Sequence, residues 1–380
     1  MKKIVKFILI AALIGSMAFS SSALADDWYE SEKGYFTLLD EAGEELTLMA
    51  REMFVDDEYI SSDNKHYRIT KVDKDSKKAH AEYLGDVKLP EVELADAAIT
   101  ASLLGRENPG NILLYCTHTD ESYVPSDGTE SEKGGGGILD VAEALQNALK
   151  ERGINAVLDK TLHEPHDAAA YRRSRATALQ LIKQNMPVAA VFDIHRDAVP
   201  KTHYVAKVDG QYMTKVRIVI GRKNQNYQAN KELAYKIKAV ADKAYPGLFK
   251  DIYIGKGEYN QELSPRSLLL EIGTHENTKE AAMKAAGYLA DVIAKAMYGG
   301  TIQGKTQEGG EAGEYSARSL NQETRENRSG VSSILWLVGI ILAGSLGFFL
   351  LSSGGKEKFS KMSKFARDEF SSFLGRKRRK

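Results

Sequence analysis

The chain has 380 residues, 43% apolar, 27% charged and 8% aromatic, a globular composition that excludes disorder over most of its length. Lys plus Arg and Asp plus Glu both number 52, yet residues 1–25 hold three lysines and no acid and residues 356–380 hold ten basic and three acidic groups, which leaves −10 between them. That acidic middle excludes a nucleic-acid reader, which needs a basic footprint. The single cysteine excludes an intramolecular disulfide and a cysteine-rich zinc module.

Residues 1–25 read as a secretory signal peptide. Lys2 and Lys3 form the charged start, an apolar stretch runs from Ile8 to Phe19, and Ala23-Leu24-Ala25 offers a cleavage site before Asp26. Residues 26–95 read as a small β-rich unit. Short runs of alternating apolar residues are broken there by Asp40-Glu41-Ala42-Gly43 and Ser61-Ser62-Asp63-Asn64 turn signals.

Across residues 105–300 strands and helices alternate. The continuous apolar run Ile112–Cys116 marks a strand covered on both faces. Ile138, Val141, Ala142, Leu145 and Leu149 follow helical spacing, with Gly153 placed to end that helix. Strands are expected at 154–158, 188–194, 216–220 and 268–272, and helices over about 168–185 and 225–243. Asn277 with Glu280 carries the signature that opens a last helix. This alternation predicts an α/β fold: an open, mostly parallel sheet with helices on both faces.

Residues 301–330, rich in Gly, Glu, Gln and Arg, read as a flexible linker. Residues 331–353 contain the uncharged run Ile334–Leu351, long enough for a single transmembrane helix. The basic tail, residues 354–380, is expected to stay cytoplasmic. Phe359, Met362, Phe365, Phe370 and Phe373 interleave with its cations, a pattern that suits the anionic inner leaflet. The expected topology is a cleaved leader, a body outside the cytoplasmic membrane and one C-terminal anchor.

Ligands of an open α/β sheet gather beyond the carboxyl ends of its strands. Three predicted strands end in Cys-Thr-His-Thr-Asp-Glu-Ser, Asp-Ile-His-Arg-Asp and Leu-Leu-Leu-Glu-Ile-Gly, which place His118, His195 and Glu271 there. Two histidines and a carboxylate could share a Zn²⁺ with an open position for water. A further carboxylate would take the proton of that water, and Glu271, costly to desolvate after three leucines, suits the role. Each histidine is equally consistent with a hydrogen-bonded structural role, and Glu271 with a salt bridge to Arg266 or Arg222. His66 and His80 are expected on the surface. His163 and His166 flank Pro165 on a loop near the sheet's active edge, and His275 is expected to pack or cap. Cys116 reads as a small buried thiol ahead of a soft zinc ligand. Gly134–Gly137 lacks the spacing of a phosphate loop and reads as a pliable approach to the helix at 138.

Thr-His-Thr-Asp-Glu-Ser-Tyr-Val-Pro from 117, Asp-Lys-Thr-Leu-His from 159, Tyr-Arg-Arg-Ser-Arg from 171, Asp-Ile-His-Arg-Asp from 193 and the stretch 259–278 occur in that order. Together they resemble the stage II sporulation protein P family of endospore-forming bacteria over about residues 108–298. The resemblance implies kinship with zinc-dependent N-acetylmuramoyl-L-alanine amidases and degradation of septal peptidoglycan during forespore engulfment. It further implies amidase and, for some members, endopeptidase activity, alongside a lytic transglycosylase and a multispan membrane protein. It makes His118 and His195 zinc ligands and Glu271 the catalytic glutamate. A third ligand is expected at Glu132, with Glu130 as the alternative. Cys116 stands where the family pattern has its first histidine, which leaves open a modified site.

The function expected is that of a membrane-anchored zinc hydrolase of peptidoglycan. The alternatives are an exported zinc carboxypeptidase or N-acyl amidohydrolase, and a non-catalytic wall-binding organiser. A tether suits an immobile polymer better than a small exported substrate.

Overall fold

A computed structural model of the protein describes residues 34–92, 94, 110–167 and 169–298. The expected leader, linker, membrane helix and basic tail lie outside the described residues. Among the described residues no helix is long and apolar enough to cross a membrane.

Five strands come first: β1 Phe36–Leu39, β2 Glu45–Met49, β3 Glu58–Ile60, β4 Lys65–Asp73 and β5 Lys78–Asp86. The remainder alternates: β6 Asn111–Tyr115, α1 Ile138–Glu151, β7 Ala156–Leu158, α2 Ala170–Gln184, β8 Val188–Asp197, the hairpin β9 Val205–Val208 and β10 Gln211–Thr214, β11 Val216–Gly221, α3 Tyr227–Ala244, β12 Phe249–Gly255, β13 Ser267–Thr274 and α4 Lys279–Tyr298. One helical turn, Val124–Asp127, lies between β6 and α1.

Eleven strands form one sheet in the order β2-β1-β5-β4-β3-β12-β11-β13-β8-β6-β7. The expectation of a mostly parallel sheet is corrected. The run β13-β8-β6-β7 is parallel, as are β11 with β12 and β1 with β5. However, β11 meets β13 antiparallel, and antiparallel pairs join β12 to β3, β3 to β4, β4 to β5 and β1 to β2. With the β9–β10 hairpin, antiparallel pairs outnumber parallel ones. The segment expected as a small unit of its own thus extends the α/β sheet, through β3 on the edge of β12.

Helices do lie on both faces. Along β6, Ile112 and Leu114 point into the layer under α1, α3 and α4, whereas Leu113 and Tyr115 meet Leu181 and Ile182 of α2. That alternation is the period of two of a strand, and coverage of both faces is why the run reads as continuously apolar. Each fully buried leucine contributes roughly 1.5–3 kcal/mol. On the α2 side, Phe36, Leu38 and Ile69 pack against Val219, Tyr253 and Leu269. The α1 residues singled out by spacing are all buried. Helix α4 is capped one residue later than expected: the Thr278 hydroxyl accepts the Ala281 N–H, and the Asn277 side chain accepts the Thr274 N–H instead.

Strand β12 and the β9–β10 hairpin were not foreseen. In β12, Lys250 and Asp251 interrupt the apolar run, and both are buried. The fully buried Arg217 of β11 explains them. Its guanidinium donates to Asp251 at 2.5 and 2.9 Å and to Asp197 at 2.8 Å. It also reaches the Thr47 hydroxyl at 2.6 Å and the Leu48 carbonyl at 3.0 Å. The first strands therefore curl back over β11 and β12 and are tied there by a charge that cannot be left unpaired.

Candidate metal centre and catalytic carboxylate

The centre is built at the carboxyl ends of β6, β8 and β13. Beyond β6 the chain turns tightly, and every residue from Cys116 to Tyr123 is buried. Such a buried turn must satisfy its backbone. It does so through the glycine loop: Gly136 N–H donates to the Thr119 carbonyl, Ile138 N–H to that of Glu121 and Ser122 N–H to that of Glu130. A methyl group on Gly136 would collide with the Glu121 carbonyl and the Ser122 hydroxyl, and one on Gly137 with the Asp127 carboxylate. Of the glycines expected as a pliable approach to α1, Gly136 and Gly137 are thus required for close packing, whereas Gly134 has open space around it.

The turn brings Glu121 beside both histidines. Its Oε1 lies 3.5 Å from His118 Nδ1 and 3.4 Å from His195 Nδ1. The two imidazoles meet edge to face with centroids 5.0 Å apart. One ligand atom from each of His118, Glu121 and His195 falls within 4.8 Å of the others. The second carboxylate oxygen of Glu121 accepts the Arg196 N–H at 2.9 Å, which fixes its direction from the end of β8. Burial opposes charge on Glu121, but His195 and Arg196 outweigh it and hold this carboxyl far below the usual range. Behind His195, Asp193 Oδ1 stands 3.0 Å from Nε2 and is held by the Thr117 N–H and hydroxyl. Burial likewise opposes the imidazolium of His195, but Asp193 and Glu121 raise its pKa well above normal.

Of the residues read from sequence, His118, His195 and Glu271 converge. Glu132 and Glu130 do not: both are exposed on the glycine loop, and the carboxylate beside the imidazoles is that of Glu121. The signal for it was the His118–Glu121 spacing of three, which puts two side chains on one side of a tight turn. Cys116 is fully buried, with burial pushing its thiol up, and it takes no part in the cluster. His163 anchors its loop through the Cys116 carbonyl and the Thr177 hydroxyl, each at 2.8 Å.

Glu271 lies on β13 directly opposite His195 of β8. The suggested bridge to Arg222 is not formed, since Arg222 binds Asp57. Glu271 Oε2 is buried and has no hydrogen-bond partner among the described residues. Burial, reinforced by Asp197, pushes this carboxyl up to about 7, with His195 and Arg51 pulling the other way. A carboxyl so poised can exchange a proton near neutrality.

Two imidazole nitrogens and a carboxylate oxygen, gathered in a buried cluster, match the donor set of a hydrolytic zinc centre with three protein ligands. The residues present therefore fit the metal. The fold and site define an α/β protein with a His–Glu–His cluster and an adjoining buried carboxylate.

The profile of the Stage II sporulation protein P (SpoIIP) family matches residues 30–294. The chain belongs to that family. The Stage II sporulation protein P of Bacillus subtilis (strain 168) is 30% identical over 201 residues, 48% of this chain and 50% of that protein. The chain thus spans about half the length of the curated relative it matches. Among solved structures, similarity extends to the CwlD amidase from Clostridioides difficile in complex with the GerS lipoprotein, at 17% identity and a TM-score of 0.34, covering 50% of this chain and 94% of that one. It also extends to the catalytic domain of CwlV, an N-acetylmuramoyl-L-alanine amidase from Bacillus (Paenibacillus) polymyxa var. colistinus, at 18% identity and a TM-score of 0.33, covering 50% and 96%.

Proposed function

We propose that the protein is a zinc-dependent sporulation peptidoglycan hydrolase that cleaves the amide between N-acetylmuramic acid and the L-alanine of the stem peptide. The observation that carries this reading is the convergence of His118, Glu121 and His195 next to Glu271 in a chain of the Stage II sporulation protein P family. His118, Glu121 and His195 would hold the metal, the imidazoles in their neutral form, with any ring proton displaced on binding, and the carboxylate ionised. Bound there, zinc would supply a Lewis acid for the amide carbonyl and a water of lowered pKa, towards ~7. Glu271 accepts the proton of the attacking water and delivers it to the leaving nitrogen, which must be protonated for the C–N bond to break. Asp193 Oδ1 stands 3.0 Å from His195 Nε2, on the side of the ring away from Glu121.

The sequence supports a membrane-tethered form of this enzyme. The run 334–351 is the anchor, the body stands outside the cytoplasmic membrane and the basic tail remains inside. A tethered hydrolase suits a septal wall, and a lytic transglycosylase and a multispan membrane protein are the proposed companions. Cleavage of peptide crosslinks is the proposed second activity.

The test is mass spectrometry of purified peptidoglycan after digestion by zinc-loaded protein. Stem peptides with a free L-alanine amine, from glycan strands left intact, are expected. Crosslink cleavage alone would replace the amidase by an endopeptidase. An unchanged wall, with binding retained, would make the protein an organiser of wall complexes.

A further inference from the structure

Next to the cluster stands a second buttressed pair that the reaction above does not use. His166, with 28% of its side chain exposed, stacks on His118 with ring centroids 4.2 Å apart and planes at 26°. Its Nδ1 contacts both oxygens of Asp120, at 2.9 and 3.1 Å. Asp120 is itself largely buried and accepts the Ser131 hydroxyl at 2.5 Å.

The loop that presents His166 is held at several points. His163 N–H donates to the Thr119 hydroxyl at 3.1 Å, and both ring nitrogens of His163 are engaged. Arg173, from the first turn of α2, donates to the His163 carbonyl at 2.8 Å and to Asp167 at 2.7 Å. So many ties on a nine-residue segment fix where the His166 ring lies. A metal-ligating imidazole must keep its ring plane, and neighbours that hold it are worth about 10–100-fold in metal affinity. Edge contacts from Tyr171 and His195 restrain His118 on its other sides. Of these three described neighbours, His166 is the one that stacks parallel on the ring.

We propose that His166, oriented by Asp120, is a positioning residue that fixes the His118 ring for metal binding. This rests on the zinc reading above and adds to it a role for the loop 159–167. The ring acts by contact with the His118 face, so an aromatic ring of the same breadth should replace it, whereas a methyl group should not.

The experiment is competition for Zn²⁺ against a chromogenic chelator, using the full chain, with the melting temperature recorded for each variant. Wild-type protein binding one zinc, lost in His118→Ala and His195→Ala, establishes the centre; failure of that arm sinks the zinc reading itself. His166→Ala should then bind zinc about 10–100-fold more weakly at unchanged stoichiometry, and His166→Phe should recover most of that loss. If His166→Ala fails to fold, Asp120→Asn leaves the imidazole in place and should still weaken binding by roughly 3–10-fold. Wild-type affinity in His166→Ala, or in Asp120→Asn where that variant decides, overturns the proposal. So does a His166→Phe as weak as His166→Ala. Zinc absent from His166→Ala at saturating metal would make His166 a ligand and overturn it too.

Discussion

Glu271 and His195 stand opposite one another on neighbouring parallel strands, in register across β13 and β8. A slip of one residue in that pairing would turn the carboxylate to the opposite face of the sheet. Register therefore sets the distance between the candidate base and His195, the one candidate ligand that lies on a strand.

This relationship yields a prediction for Glu271→Gln. The amide keeps the shape of the side chain but accepts no proton. We expect zinc content and binding to peptidoglycan near the wild-type level, with kcat lower by roughly two orders of magnitude or more. Zinc analysis and stem-peptide release measure this. Loss of zinc would identify Glu271 as a ligand, and normal turnover would send the search for the base elsewhere.

The third ligand is decided by comparing carboxylates. Glu121→Ala should lose bound zinc, because the buried oxygen 3.4–3.5 Å from both Nδ1 atoms is removed. Glu132→Ala and Glu130→Ala, exposed on the glycine loop, should retain one zinc each. Metal lost from Glu132→Ala but not from Glu121→Ala would restore the assignment read from sequence.

Gly136→Ala tests the packing beneath the Glu121 turn. A Cβ there meets the carbonyls of Asp120 and Glu121 and the Ser122 hydroxyl, so the turn must move. Overpacking of this kind typically costs about 1–3 kcal/mol. A lower melting temperature together with weaker zinc binding is expected. Unchanged values for both would show that the loop yields without disturbing Glu121.

Lys250 gives a pH signature. Burial, then the nearby Arg217, lowers its pKa to about 8 from an ordinary 10.5, with Asp251 acting in the opposite sense. The unfolded chain therefore binds the extra proton between those values, and the Lys250 contribution to stability rises with pH across that window. Buried Tyr and Cys side chains titrate nearby, so the useful quantity is the stability of wild type minus that of Lys250→Met. It should climb by as much as about 3 kcal/mol from pH 8 to 10.5 in urea unfolding. A flat difference would mean that Lys250 keeps its ordinary pKa.

The first five strands should be inseparable from the rest. Thr47 and Leu48 satisfy the buried guanidinium of Arg217, and β3 covers the edge of β12. Residues 105–300 alone would keep Asp197 and Asp251 beside that guanidinium but would leave it without two of its buried acceptors and that edge open, each lost hydrogen bond to the charge costing about 1.5–3 kcal/mol. We expect this fragment to bind a hydrophobic dye and to lack a cooperative thermal transition, whereas residues 34–298 melt sharply. A sharp transition in the shorter fragment would make the β-rich segment a separate domain.

Local chemistry was enough to determine much of this protein from its sequence. The period of the apolar residues in α1, the doubly covered run of β6 and the loaded ends of β6, β8 and β13 were legible because neighbours along the chain settle them. So His118, His195 and Glu271 could be named without coordinates. Strand β12, the antiparallel pairing of β11 with β13 and the merging of the β-rich segment into one sheet were not legible. Their apolar pattern is broken by Arg217, Lys250 and Asp251, charges that can be buried only because partners arrive from strands far away in sequence. Glu121 was overlooked for the same kind of reason. In the sequence it is one acid among several, and only the tight turn on Gly136, with the N–H of Arg196 from β8, separates it from Glu130 and Glu132 and sets it between the two imidazoles.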